Sequence, residues 1–77
     1  MSKFLQLIKS ENLKVEVKEV KGCPDLKVAT VAIGKTKATA VLHDDGNINA
    51  RNQFNQEIYD GYDGQTAAQK IISWITR

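Results

Sequence analysis

The spacing of hydrophobic positions changes twice along the chain, and each change marks a new kind of element. Phe4, Leu5 and Ile8 recur at helical spacing, with Lys3, Lys9 and Glu11 on the other side. This predicts a first helix of about ten residues, which Ser2 can cap and Asn12 can stop. From Leu13 the period becomes two: Leu13, Val15 and Val17 alternate with Lys14, Glu16 and Lys18, the pattern of a strand with one buried and one wet face. The alternation breaks at Glu19-Val20, and Lys21-Gly22-Cys23-Pro24-Asp25 reads as a loop in which Pro24 biases Cys23 away from helical angles. Residues 26 to 34, LKVATVAIG, are β-branched or small with little polar relief, which suits the most buried strand of a sheet.

Gly34 to Lys37 reads as a turn and Ala38 to His43 as the next strand. Asp44-Asp45-Gly46 supplies turn chemistry tolerant of positive φ, and Ile48 and Ala50 then alternate with Asn47, Asn49 and Arg51, which predicts a fourth strand through about Asn52. Phe54 to Gly64 has no clear period. Beyond it Asp63 can cap a final helix, with Thr66 and Gln69 as an alternative capping box one turn later. Ala67, Ala68, Ile71, Ile72 and Ile75 form its apolar face, with Trp74 at the edge. The expected fold is α+β: a helix, three or four antiparallel strands and a helix. Both helices cover one face of the sheet and leave the other open.

With 77 residues, 42% hydrophobic and 26% charged, the whole chain, residues 1 to 77, is expected to be one domain. A domain of this size buries only ~60% of its unfolded surface, so surface patches are expected rather than a deep cofactor cavity. The single Cys23 allows no intramolecular disulfide, no apolar run approaches a membrane span, and the amino terminus lacks the continuous core of a signal peptide. These features fit a soluble cytoplasmic protein. The net charge of +2 is unevenly distributed. Residues 1 to 40 carry eight Lys against Glu11, Glu16, Glu19 and Asp25, a net +4, whereas residues 41 to 77 carry three cations against five acids, a net −2.

The motifs that carry chemistry fail on spacing. Gly34-Lys35-Thr36 matches the tail of a phosphate-binding loop, but Ala29 stands where the first Gly belongs and a strand pattern follows in place of a helix. The two Asp-Gly clusters resemble calcium loops, yet alignment on Gly46 or Gly64 puts Val41 or Tyr59 where a carboxylate is needed. His43 stands without a second His, and Cys23 has only His43 as an imidazole base. No catalytic, cofactor or metal site is therefore expected, and the chain does not read as an enzyme.

Binding chemistry is better represented. The order helix, three strands, helix resembles that of the double-stranded RNA-binding domain, which reads duplex shape through phosphate and 2′-OH contacts. That family meets phosphates with a basic cluster at the start of its last helix; here the corresponding residues, Asp60-Gly61-Tyr62-Asp63-Gly64-Gln65, are acidic. Lys14, Lys18, Lys35 and Lys37 could instead form a basic sheet face for weak, sequence-independent nucleic-acid binding. The segment from Asp44 to Gly64 holds four Asn, two Gln, four Asp, three Gly and both Tyr, without Lys. Such a mixture of rigid aromatic rings and adaptable polar groups suits a protein-recognition surface. The leading expectation is a small protein-binding module, an accessory regulator or inhibitor of the kind phages and mobile elements encode. Phe54, Tyr59 and Tyr62 would anchor the partner, and Arg51, Asp60 and Asp63 would match its charge. An exposed edge strand also leaves a homodimer open.

Overall fold

Short turns fold the middle of the chain back on itself so that each strand pairs with the next. The computed structural model describes residues 3–76, so the proposed Ser2 cap lies outside the described residues. Helix α1 spans Lys3–Ser10; strands β1 (Val15–Val20), β2 (Cys23–Ile33), β3 (Thr36–His43), β4 (Ile48–Asn52) and β5 (Glu57–Gly61) follow, and helix α2 spans Gly64–Ile75. All strand pairs are antiparallel and the spatial order is β1-β2-β3-β4-β5, a simple meander. Asn12 ends the first helix with φ 63°, its N–H donating to the Lys9 carbonyl at 3.1 Å, as a left-handed cap should. Between β2 and β3 the turn is only two residues long, because Ile33 pairs with Thr36. Its first residue, Gly34, takes φ 60°, which favours glycine there and matches the twist of the flanking strands.

Three sequence expectations are corrected. The sheet has five strands rather than three or four, which also breaks the likeness in element order to the duplex-RNA domain. The unread strand is β5. Arg51 pairs with Glu57 while Ala50 pairs with Tyr59, so Ile58 is an extra residue that bulges the strand. Both Ile58 and Tyr59 then pack against the core, and the two-residue period is lost. The second correction concerns residues 21 to 25, where only Lys21 and Gly22 form the turn and β2 begins at Cys23. Pro24 is accommodated because the register toward β1 shifts between Glu19 and Val20, skipping residues 24 to 26, and the pairing with β3 begins only at Leu26, so Pro24 needs no ladder donor on either side.

The third correction is that residues 26 to 34 do not form the most buried strand. Only Ala29 and Val31 of β2's eleven residues are buried, whereas β4 buries three of its five, Ile48, Ala50 and Asn52. The reason lies in how the helices cover the sheet. Registered pairs place Ala29, Ala40 and Ala50 side by side across three strands, all fully buried, with Ala38 in the next row. A floor of methyl groups lets α2, itself faced with Ala67 and Ala68, cross β2 to β5 closely. The bulk of the core comes from the helices: Phe4 and Ile8 of α1 and Ile71 of α2 are fully buried, joined from the sheet by Val31. The helical layer is narrower than the sheet: α2 does not reach β1, which of the two helices meets only α1, so Val15 packs against the core while Val17 stays 42% exposed on the helix side. The opposite sheet face has no covering layer.

A larger side chain in the methyl floor should therefore act as a wedge. Ala40→Leu is expected to lower stability by ~1–3 kcal/mol through overpacking. Val17→Ala, beyond the reach of α2, should change it by less than ~0.5 kcal/mol. Urea denaturation of both variants checks the contrast, and equal effects would refute the close seating of α2.

Candidate protein-docking surface

The turn from β4 to β5 is built by amide side chains rather than by glycine. Among the described residues Asn52 is the one buried polar residue, 6% exposed. Its Oδ1 accepts from the backbone N–H of Phe54 at 2.9 Å and of Gln56 at 3.0 Å, and its Nδ2 donates to Gln56 Oε1 at 2.9 Å. Asn55 takes φ 64°, a conformation Asn tolerates better than most residues, and donates its N–H to the Asn52 carbonyl. A buried side chain that satisfies the backbone of its own turn makes the turn rigid.

This turn presents Phe54, which is 68% exposed. The ring meets Trp74 of α2 edge to face, with centroids 6.2 Å apart and planes at 87°. Trp74 Nε1 donates to Gln53 Oε1 at 2.7 Å, and the same oxygen accepts the Lys37 backbone N–H at 3.3 Å. Gln53 thus ties α2, β3 and the turn together.

Beside Phe54, on the uncovered sheet face, lies an open depression of about 660 Å³. Its floor is Val28, Thr39 and Val41, and its charged rim is Lys35, Lys37 and Arg51, with no acid in the lining. Arg51 is oriented by two bonds, from Nε to Asn49 Oδ1 at 3.2 Å and from Nη1 to the Asn55 carbonyl at 3.3 Å. Asn49 in turn donates to Glu57 Oε1 at 2.8 Å. Glu57 and Asp60 stand opposite Arg51 and Asn49 in register, so β5 forms an acidic border to the cationic depression.

The six residues proposed from sequence divide between binding and construction. Arg51 lines the depression, whereas the Phe54 ring lies against Trp74 of α2 and only its neighbours Gln53 and Asn55 reach the lining. Tyr62 is equally exposed, but it follows β5 whereas Phe54 precedes it, so the two rings sit at opposite ends of that strand. Tyr59 is half-buried against the core, a correction to its reading as an exposed anchor, and its hydroxyl accepts the Asp63 N–H at 3.0 Å. That position depends on Gly61, where a Cβ would lie 2.5 Å from the Tyr59 hydroxyl oxygen. Asp60 accepts from Asn47 Nδ2 at 3.1 Å, part of the contact that also links Asn47 to the Gly61 carbonyl. Asp63 caps α2, accepting from the Gln65 N–H and the Thr66 hydroxyl. Thr66 therefore serves the Asp63 cap.

The four lysines proposed for nucleic acid do not act as one set. Lys35 and Lys37 join Arg51; Lys14 lies beside Ala32 in a second, smaller depression; Lys18 is paired with Glu16 at 3.4 Å. The meeting of Lys35 and Lys37 with Arg51 was not evident from sequence, although the alternation of Lys37, Thr39 and Val41 with Ala38 and Ala40 carries it once β3 and β4 are paired. Among the described residues no group of three or more His, Cys, Asp or Glu is arranged to hold a metal, and no helix is long and apolar enough to cross a membrane. No protein-family model matches the chain, and neither a curated protein nor a solved structure shows significant similarity to it.

The Asp63 carboxylate is held below its ordinary range, chiefly by the Thr66 hydroxyl; desolvation opposes this, while the Gln65 and Thr66 N–H groups and the positive charge of Lys3 add to it. Because the folded-state value is the lowered one, this cap contributes fully above the ordinary aspartate range near ~3.9 and is lost as pH falls through the lowered value. An NMR titration should place the Asp63 midpoint below that of an unstructured aspartate, and Thr66→Val should move it upward. Equal midpoints in the two proteins would rule out the hydroxyl as the cause. Gly61→Ala should displace the Tyr59 ring and speed hydrogen exchange at the Asp63 amide, which exchange NMR reads directly.

Proposed function

We propose that this chain is a small protein-binding module, an accessory regulator or inhibitor, that docks on its partner through the Phe54 turn and the adjoining depression. The observation that carries the reading is an aromatic ring left two-thirds exposed on a rigid turn whose Asn55 carbonyl also holds Arg51. Aromatic residues and Arg dominate the energetics of protein interfaces, and a turn that is ordered in advance loses little entropy on binding. Lys35, Lys37 and Arg51 call for an acidic segment on the partner, while Val28 and Val41 offer it an apolar floor. The exposed, unpaired thiol of Cys23 suits a reducing compartment and so a cytoplasmic setting.

A second reading, weak binding of nucleic acid, is favoured by the same three cations without an acid among them. Against it, the floor of the face carries no aromatic platform for bases, and Glu57 and Asp60 would repel a phosphate backbone running on across β5.

Affinity capture from the native cell with wild type, Phe54→Ala and Arg51→Ala tests the first reading. A protein held by wild type should be lost from both variants, with the affinity falling ~30-fold for Phe54→Ala at an unchanged melting temperature. Equal retention by all three would remove this surface. Mobility shifts with duplex and single-stranded oligonucleotides at low salt address the second reading, since phosphate binding there must be strong and must weaken steeply as salt is added.

A further inference from the structure

A meander has two edges, and here they differ in kind. The β5 edge is interrupted by the Ile58 bulge, carries Glu57 and Asp60, and has α2 packed on it. A bulged, like-charged edge resists pairing with another strand. The β1 edge is regular from Val15 to Glu19, is not reached by α2, and leaves Val17 42% exposed although Val15 packs against the core. Its residues alternate as Lys14, Val15, Glu16, Val17, Lys18, Glu19. An edge protected by charge would carry one sign along its length; this one carries both.

We infer that β1 pairs antiparallel with β1 of a second copy about a two-fold axis at Val17, joining two sheets into one of ten strands. In that register Val17 faces its own copy on the helix side, and Glu16 of each chain stands directly opposite Lys18 of the other on the open side. Directly opposed side chains are about 4.5–5.5 Å apart at Cβ, within the range over which charge pairs act across strands. Glu16 and Lys18 now bond each other along one strand at 3.4 Å, with side chains 74% and 78% exposed, so both are accessible to exchange partners. Charge also selects the register. A slip of two residues one way sets Glu16 against Glu16 and Lys14 against Lys18, and a slip the other way sets Lys18 against Lys18. A slip of one turns the helical layer of one copy to the open face of the other, whereas the two-fold register keeps both layers on one side and sets Val15 beside the aliphatic stem of Glu19. The two-fold arrangement uses both β1 edges and leaves only the blunted β5 edges outside, so the assembly closes at two copies.

The test is a charge exchange between chains, read by sedimentation velocity and light scattering from micromolar to millimolar concentration. Wild type should rise from the 8.6 kDa chain mass toward twice that value. Lys18→Glu and Glu16→Lys each make both cross-strand pairs repulsive, and each should weaken self-association about tenfold. Mixed one to one, the two variants should dimerise again, because the first then presents acids at both exchanged positions and the second presents lysines at both. Neither variant keeps the pair within its own strand, so recovery on mixing reports only pairing between chains. Circular dichroism and melting confirm folding of each variant, and in wild type the β1 amides should exchange more slowly as concentration rises. A wild type that stays at chain mass, single variants that dimerise as well as wild type, or a mixture that stays monomeric would each overturn the pairing.

Discussion

The arrangement depends on how closely α2 can approach the sheet. Ala29, Ala40 and Ala50 stand in register across three neighbouring strands, and α2 meets them with Ala67 and Ala68. Small residues on both sides bring backbone near backbone, so the large side chains must lie at the margins of the contact. Phe4, Ile8 and Ile71 occupy those margins and join α1 to α2, which closes one layer over the sheet. Gly64 belongs to the same constraint, since a Cβ there would stand 3.2 Å from the Phe4 backbone nitrogen. One short helix pair spans only part of a five-stranded sheet. That β1 lies outside the reach of α2 follows from this difference in width, and the open far face follows from both helices lying on one side of the sheet.

Local chemistry was legible in the sequence wherever a residue acts on its own neighbours. The stripe of Phe4, Leu5 and Ile8, the stop at Asn12, the turn at Gly46 with φ 98° and the cap at Asp63 each follow from side-chain type and spacing. The strand β5 was hidden because its bulge at Ile58 cancels the alternation that would reveal it. The start of β2 was hidden because Pro24 usually argues against a strand, and only the register shift opposite it makes room. The same limit applied to the docking surface. Phe54 and Arg51 stood out by composition, whereas the convergence of Lys35 and Lys37 on Arg51 requires the register between β3 and β4, which is a long-range property.

The asparagine-rich middle of the chain takes on a different meaning in the fold. Asn47, Asn52 and Asn55 hold turns and hairpin ends, and Asn49 orients both Arg51 and Glu57. Amide side chains thus supply the preorganisation, and recognition falls to the few groups they support. The meander adds an electrostatic consequence. Because spatial order follows chain order, the basic first half and acidic second half of the sequence lie side by side across the sheet rather than on separate faces. The cationic depression and the acidic β5 border meet where the two halves adjoin.

The alanine floor also bears on how the chain is made. Every strand precedes α2 in the sequence, so the sheet is synthesised before the helix that covers it. An uncovered sheet face of valine and leucine would be a strong site for association with other nascent chains. Alanine at positions 29, 38, 40 and 50 removes much of that apolar area from the middle of the face, leaving Val31, Leu42 and Ile48 among its larger side chains. The residues that let α2 sit close are therefore also those that make the waiting sheet less adhesive before α2 has been made.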